Sequence, residues 1–315
     1  MRSVKSEQGP EEQGSQTAVF GQERSSPSCR IDRSKDSGGR VVSIEAVLAN
    51  ERAWHIECGD CLEVMADVSD GSAHLIVTSP PYNLDQPYDE HDDKMDVADY
   101  VILLQRFLLQ SERILSDGGR LCINVGENKR SENGDALPTY CVIASFCSSM
   151  HLLYRGTLIW YKANAANRCA WGSWLSPSNP HVVPSHEYIL VYSKGRFDRP
   201  DRSGPGDCSA EEFKRLAWGM WTFKPETRLV KDHPCPFPVE LPRRLIKFYT
   251  WPGDVVVDPF CGIGSTGVAC RETDRRFVGA ELSESYVTIA RERIIEAETG
   301  LTRREQAAGQ ETLFW

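Results

Sequence analysis

A chain of 315 residues, 40% hydrophobic and 26% charged, is long enough to bury one large α/β core with a sizeable insertion, and it needs no covalent staples to do so. Eleven cysteines in that length do not make a disulfide scaffold, no run of about 18 apolar residues marks a membrane span, and the start MRSVKSEQGPEEQGSQ lacks the apolar core of a secretory signal, so the cytoplasm is the expected location. A net charge of −9 argues against a generic polyanion binder, yet a local cleft need not follow the sum: Lys162, Arg168, Lys194, Arg196, Lys224, Arg228 and Lys231 recur in the middle of the chain.

Residues 1–40 are rich in Gln, Glu, Ser, Gly and Arg and poor in apolar side chains, and are expected to be a disordered tail. One domain then fills residues 41–300, and residues 301–315 form a second tail. Seven strand-like runs follow in order: Trp54–Cys58, His74–Ser79, Arg120–Val125, Tyr154–Tyr161, Glu187–Ser193, Val255–Asp258 and Phe277–Glu281. Those at 74–79 and 255–258 are continuously apolar, as strands covered on both faces should be. Between them, Val97–Leu115 has helical spacing and is stopped by Gly118 and Gly119, Ser283–Ala297 reads as a second helix, and residues 198–210 read as a linker. Alternating strands and helices predict a mostly parallel sheet with helices on both faces. Cys122 and Cys141 sit in apolar runs and are expected to be buried free thiols. Cys58 and Cys61 form a CxxC whose only remote partners are His233 and Cys235, so no metal site is expected.

The strongest local signal is Val255-Val-Val-Asp258-Pro259-Phe260-Cys261-Gly262-Ile-Gly264-Ser-Thr266-Gly267, a buried strand entering a glycine-rich turn that opens a helix. Glu281 follows at the end of the next strand, where an acid can accept from two ribose hydroxyls. A nicotinamide dehydrogenase would share this pattern but needs several more strands after it, and only 48 residues follow Gly267. The rest of the sheet must therefore come from upstream, which implies circular permutation. The second signal is Thr78-Ser79-Pro80-Pro81-Tyr82-Asn83, directly after a strand. Two prolines fix φ and remove two donors, so a hydroxyl, a rigid carbonyl and an aromatic face can meet at the strand's carboxyl end, where α/β sheets bind ligands.

TSPPYN upstream and DPFCGIGSTG downstream, in this order, resemble the permuted beta group of DNA amino-methyltransferases. Glu57-Cys58-Gly59-Asp60-Cys61-Leu62, His186–Lys194 and His233–Glu240 resemble further elements of that family, so the likeness spans about residues 53–297. It implies a seven-stranded, Rossmann-like methyltransferase sheet with a reversed final hairpin, and S-adenosyl-L-methionine as cofactor. It also implies that Asp258, Phe260, Gly262, Gly264 and Thr266 shape the cofactor pocket, that Glu281 holds the ribose, that Asp60 meets the adenine, and that Phe237 and Pro238 pack beside it. Ser79, Pro80, Pro81 and Tyr82 would handle the target base.

An exocyclic amine is a weak nucleophile because its lone pair is delocalised into the ring. Acceptors at the Ser79 side chain and the Pro80 carbonyl would draw it toward tetrahedral geometry, with Tyr82 stacked on a base flipped out of double-stranded DNA. No cysteine follows the proline, which disfavours ring-carbon methylation. In the resembling family serine at position 79 is more typical of N4-cytosine enzymes and aspartate of N6-adenine enzymes, so N4 of cytosine is the expected target and N6 of adenine the alternative. Protein glutamine methylation would place an asparagine there in unpermuted order, and a catalytically silent DNA-binding module would not need the loop intact. Recognition is expected from Asn164–Pro184 and from residues 198–232, where Trp218, Trp221 and Lys224 lie. Arg243 and Arg244 are expected as solvent or phosphate contacts on a helix. A monomer or homodimer working beside a cognate restriction endonuclease would suit such an enzyme.

Overall fold

Continuous apolar runs make inner strands of the sheet, and helices before, between and after them in the chain cover both faces. The computed structural model describes residues 43–81, 95–126, 138–162, 172–180, 182, 185–227, 233 and 236–300. Its strands are β1 (Trp54–Cys58), β2 (Ala73–Thr78), β3 (Leu115–Val125), β4 (Leu152–Tyr161), β5 (His186–Lys194), β6 (Met220–Thr222), β7 (Val255–Asp258) and β8 (Arg276–Glu281). The helices are α1 (Ile44–Leu48), α2 (Cys61–Ala66), α3 (Val97–Ile114), α4 (Thr139–Ser148), α5 (Ala210–Leu216), α6 (Glu240–Tyr249), α7 (Ser265–Glu272) and α8 (Glu284–Thr299).

The strands form one sheet in the order β1-β8-β7-β2-β3-β5-β4-β6. Neighbours are parallel except at β5, which runs antiparallel to both β3 and β4. The carboxyl ends of seven strands and the amino end of β5 therefore share one edge. Side chains alternate across the sheet with period two. In β7, Val255 and Val257 join a core with Ile44, Val64, Leu104 and Ile143 of α1 to α4, whereas Val256 faces a second core with Leu216, Leu245, Ala269 and Ile294 of α5 to α8.

Three expectations need correction. The sheet has eight described strands, not seven, because the chain after α5 adds β6 beside the end of β4, pairing Trp160 with Trp221. Leu115 is already extended, and β3 begins there, so Gly118 and Gly119 lie inside the strand rather than between helix and strand. A register shift against β2 between Ala73 and Leu75 absorbs the extra residues. Cys122 is buried, but Cys141 is exposed on α4, where its apolar run forms a helix instead of a strand. Among the described residues, no helix is long and apolar enough to cross a membrane.

Candidate active site

Asp258 ends β7 with its carboxylate fully buried. One oxygen accepts from the Thr78 hydroxyl at 2.6 Å and from the Phe260 amide at 3.2 Å, and the other accepts from the Thr266 hydroxyl at 2.6 Å. One side chain thus joins the end of β2, the glycine turn and the first turn of α7. Burial pushes its carboxyl up to about 6, against the three donors that favour the charged form.

The glycine turn is shaped by close packing. Gly264 has φ 78°, and a Cβ there would stand 2.8 Å from the Ala290 Cβ and 3.1 Å from its Cα, so only glycine lets α7 start against α8. Beyond the turn, Glu281 accepts from the Gly262 amide at 2.9 Å with one oxygen and from the Ser283 amide at 2.9 Å with the other. Its carboxyl is raised by burial, which outweighs those amides, and each oxygen keeps acceptor capacity for a further donor.

β1 continues this rim. The Gly59 amide donates to the Glu281 carbonyl at 2.9 Å, which brings Asp60 alongside. Asp60 is exposed and caps α2 by accepting from the Leu62 amide at 2.8 Å. Phe260 meets the Phe107 ring edge-on at 5.4 Å. Phe237 is half-buried against the second core, and the Pro238 carbonyl accepts from the Leu241 amide at 3.0 Å where α6 begins. The His233 ring packs on Tyr286 with centroids 4.8 Å apart and lies against Gly262; burial lowers its pKa to about 4.

At the next strand, the Ser79 hydroxyl donates to the Asn124 carbonyl at 3.1 Å. Ser79 is half-buried, Pro80 is buried, and the Pro81 carbonyl accepts from the Tyr100 hydroxyl at 2.7 Å. Tyr82 lies outside the described residues. Behind Ser79, the Asn124 amide nitrogen donates to Glu187 at 2.6 Å, and Glu187 also pairs with Lys162. Sequence reasoning named Thr78 only as part of its motif, with no role, and passed over Tyr100 and Asn124. Asn124 carried one visible signal, a lone amide near the end of the apolar run Leu121–Val125. Arg243 and Arg244 lie on α6 and both pair with Glu240. Arg168, Arg228 and Lys231 lie outside the described residues. The described residues hold no cluster of three His, Cys, Asp or Glu side chains suited to a metal.

The arrangement sets an oriented hydroxyl and a rigid proline turn beside a glycine turn with a carboxylate at its rim, all on one sheet edge. Such a site can hold a nucleoside-like group and present a neutral acceptor to a second reactant. Known proteins are similar to this chain. Type II methyltransferase M.Cfr9I of Citrobacter freundii is 30% identical over 270 residues, covering 78% of this chain and 89% of that protein. Type II methyltransferase M.MjaVI of Methanocaldococcus jannaschii is 35% identical over 166 residues, covering 53% and 84%. Among solved structures, the DNA modification methylase TTHA0409 of Thermus thermophilus, complexed with S-adenosyl-L-methionine, matches with a TM-score of 0.61 at 29% identity, covering 79% of this chain and 98% of that one. PvuII DNA methyltransferase (cytosine-N4-specific) shares the fold at a TM-score of 0.61 and 16% identity, covering 80% and 94%. The DNA methylase family model matches residues 73–292, from β2 into α8. With more than half its length so matched, the chain belongs to the DNA methylase family, the DNA amino-methyltransferases.

Proposed function

We propose that this protein is a site-specific methyltransferase that carries a methyl group from S-adenosyl-L-methionine to N4 of cytosine in duplex DNA. The observation that carries the reading is the orientation of Ser79. Its hydroxyl donates to the Asn124 carbonyl from a half-exposed place at the sheet edge, so toward an amine N–H the group acts as an acceptor.

The residues fit the cofactor. The glycine turn leaves no room for a Cβ at Gly264, and the Glu281 carboxylate, held by two amides, can still take ribose hydroxyls. Asp60, beside Glu281, suits the adenine end, and Phe260, Phe237 and Pro238 supply apolar surface. Asp258 and Thr266 serve by holding the turn in shape. When bound, S-adenosyl-L-methionine supplies an electrophilic methyl group. Ser79 accepts one N–H of the target amine, and the Pro80 carbonyl is suited to the other. Tyr82 stacks on the flipped base. Holding both reactants at one edge removes much of the entropic barrier.

The same reading makes the sheet circularly permuted. The glycine-loop strand is next to last in the chain yet central in the sheet, and β1 lies beyond β8 at the edge. It also makes residues 1–40 and 301–315 tails around one catalytic domain, with recognition residues near 164–184 and 198–232. The protein then works on nucleoid DNA as a monomer or homodimer, with a cognate restriction endonuclease as its natural partner. The cytosine assignment rests on Ser79. The test is to incubate the chain with labelled cofactor and genomic DNA, digest the DNA and weigh the nucleosides. N4-methylcytosine is expected. N6-methyladenine would move the target to adenine, and bound cofactor without transfer to any DNA would leave a silent DNA-binding module.

A further inference from the structure

The chain leaves the sheet after β4 and returns at β5, and the neck of this excursion is closed by the Lys162 amide donating to the Ser185 carbonyl at 3.0 Å. A continuous set of contacts roots the neck at the catalytic edge. Lys162 pairs with Glu187, Glu187 accepts from Asn124 at 2.6 Å, and the Asn124 carbonyl accepts from Ser79 at 3.1 Å. In the sheet β4 is three steps from β2, about 14 Å at the usual strand spacing. A duplex laid across that edge covers both.

Residues 172–180 of the excursion form a small closed loop. Gly172 bridges Pro180, the Ser173 amide donates to the Asn179 carbonyl at 2.9 Å, and the Asn179 amide donates to the Ser173 hydroxyl oxygen at 2.8 Å. The Ser173 hydroxyl in turn donates to the Ser176 carbonyl at 2.7 Å. This scaffold holds Leu175 at the tip with φ 53° and 88% exposed, next to Trp174 at 67%. A branched apolar side chain in the left-handed region strains the backbone, and its exposure adds a hydration cost. Strain held by a dedicated hydrogen-bond scaffold points to a function outside folding. Gly172–Pro180 contains no charged residue, so its contact is suited to stacked bases and not to phosphates.

We propose that Leu175, backed by Trp174, is a wedge that enters the base stack of duplex DNA and fills the gap left when the target base moves into the Ser79 pocket. The inference rests on the reading of the protein as a duplex-DNA methyltransferase. Apolar wedges separate base steps in this way, and a base inside a duplex cannot present its amine until it has been extruded.

The experiment compares the full chain with L175A and L175M on two duplexes carrying the modified site, one fully paired and one with the target base mismatched. On the paired duplex, kcat of L175A should fall about 10-fold, the size of one lost base-stacking contact, while L175M stays near wild type. On the mismatched duplex L175A should return to within about two-fold of wild type, because a mispaired base needs less help to leave. Equal losses on both duplexes, or no loss on either, would overturn the wedge. So would a homodimer that L175A dissociates in sedimentation without rescue by the mismatch, which would make the tip a contact for a second copy. A wild-type chain that methylates no DNA overturns the functional reading along with the wedge. A wild type that methylates while L175A matches it overturns the wedge alone.

Discussion

Ser79 and Asp258 are polar for opposite purposes. Asp258 is spent inward: three donors from two loops converge on a carboxylate that water cannot reach. Ser79 donates to the Asn124 carbonyl and stays half-exposed at the edge. Removing Ser79 should therefore act on the chemistry and spare the fold. For S79A, kcat should fall about 100-fold, the usual loss for one oriented transition-state partner, with cofactor affinity unchanged by calorimetry. A variant that loses cofactor binding in step with kcat would show that Ser79 shapes the pocket instead. Thr78 and Thr266 were legible only as parts of their motifs, since nothing in either motif tells that both hydroxyls meet one carboxylate.

Two elements depend on contacts that leave no local pattern. The first is the start of α7. G264A would place a Cβ against Ala290 in a backbone conformation that L-residues resist, at a cost of about 2 kcal/mol or more. Its denaturation midpoint should drop and its cofactor affinity weaken together. A stable G264A with normal affinity would mean that the turn can shift without harm. The second is the segment 198–210, which composition marks as a linker. Arg199 fastens it to the amino end of the sheet, its side chain 2% exposed and paired with Asp254 at 2.7 Å and with Asp201 at 2.5 Å. Arg275 adds a pair with Asp207 at 2.7 Å. R199A would leave Asp254 buried with a weaker partner, Arg202 at 3.4 Å, and should destabilise the fold by about 3 kcal/mol. Urea denaturation measures this; a loss under about 1 kcal/mol would mean that water replaces the guanidinium. Proline, glycine and aspartate are as common in real linkers as in a strap of this kind, so its role could not be read from the residues alone.

For the whole molecule, two buried groups titrate against each other. Asp258 is raised to about 6, so the folded chain keeps a proton that the unfolded chain releases near pH 4, and this group's contribution to stability falls as pH rises from about 4 to 6. His233 is lowered to about 4, so the unfolded chain takes up a proton that the folded chain refuses, and its contribution falls as pH drops from about 6.5 to 4. The slopes oppose each other over nearly the same window. Asp258→Asn should make stability rise more steeply with pH than in wild type, and His233→Gln should make it rise less steeply or fall, each by up to about 1.4 kcal/mol per pH unit. Urea melts across that range decide it; curves parallel to wild type would mean that neither pKa is displaced.

The sequence by itself determined the residue make-up of the two loops, the order in which they occur and most of the sheet. Prolines, glycines, a serine and an acid at the strand end act through backbone constraint and local donors, which residue type and spacing disclose. Continuous apolar runs likewise disclose β2 and β7. Only the tertiary structure decided what those loops do to each other: Thr78 meets Asp258 across 180 residues of chain, and Asn124 turns the Ser79 hydroxyl. It also decided the eighth strand and the buried hold of Arg199. These rest on pairings between distant segments, and a hydrogen bond or ion pair formed at long range imposes no periodicity on the residues that make it.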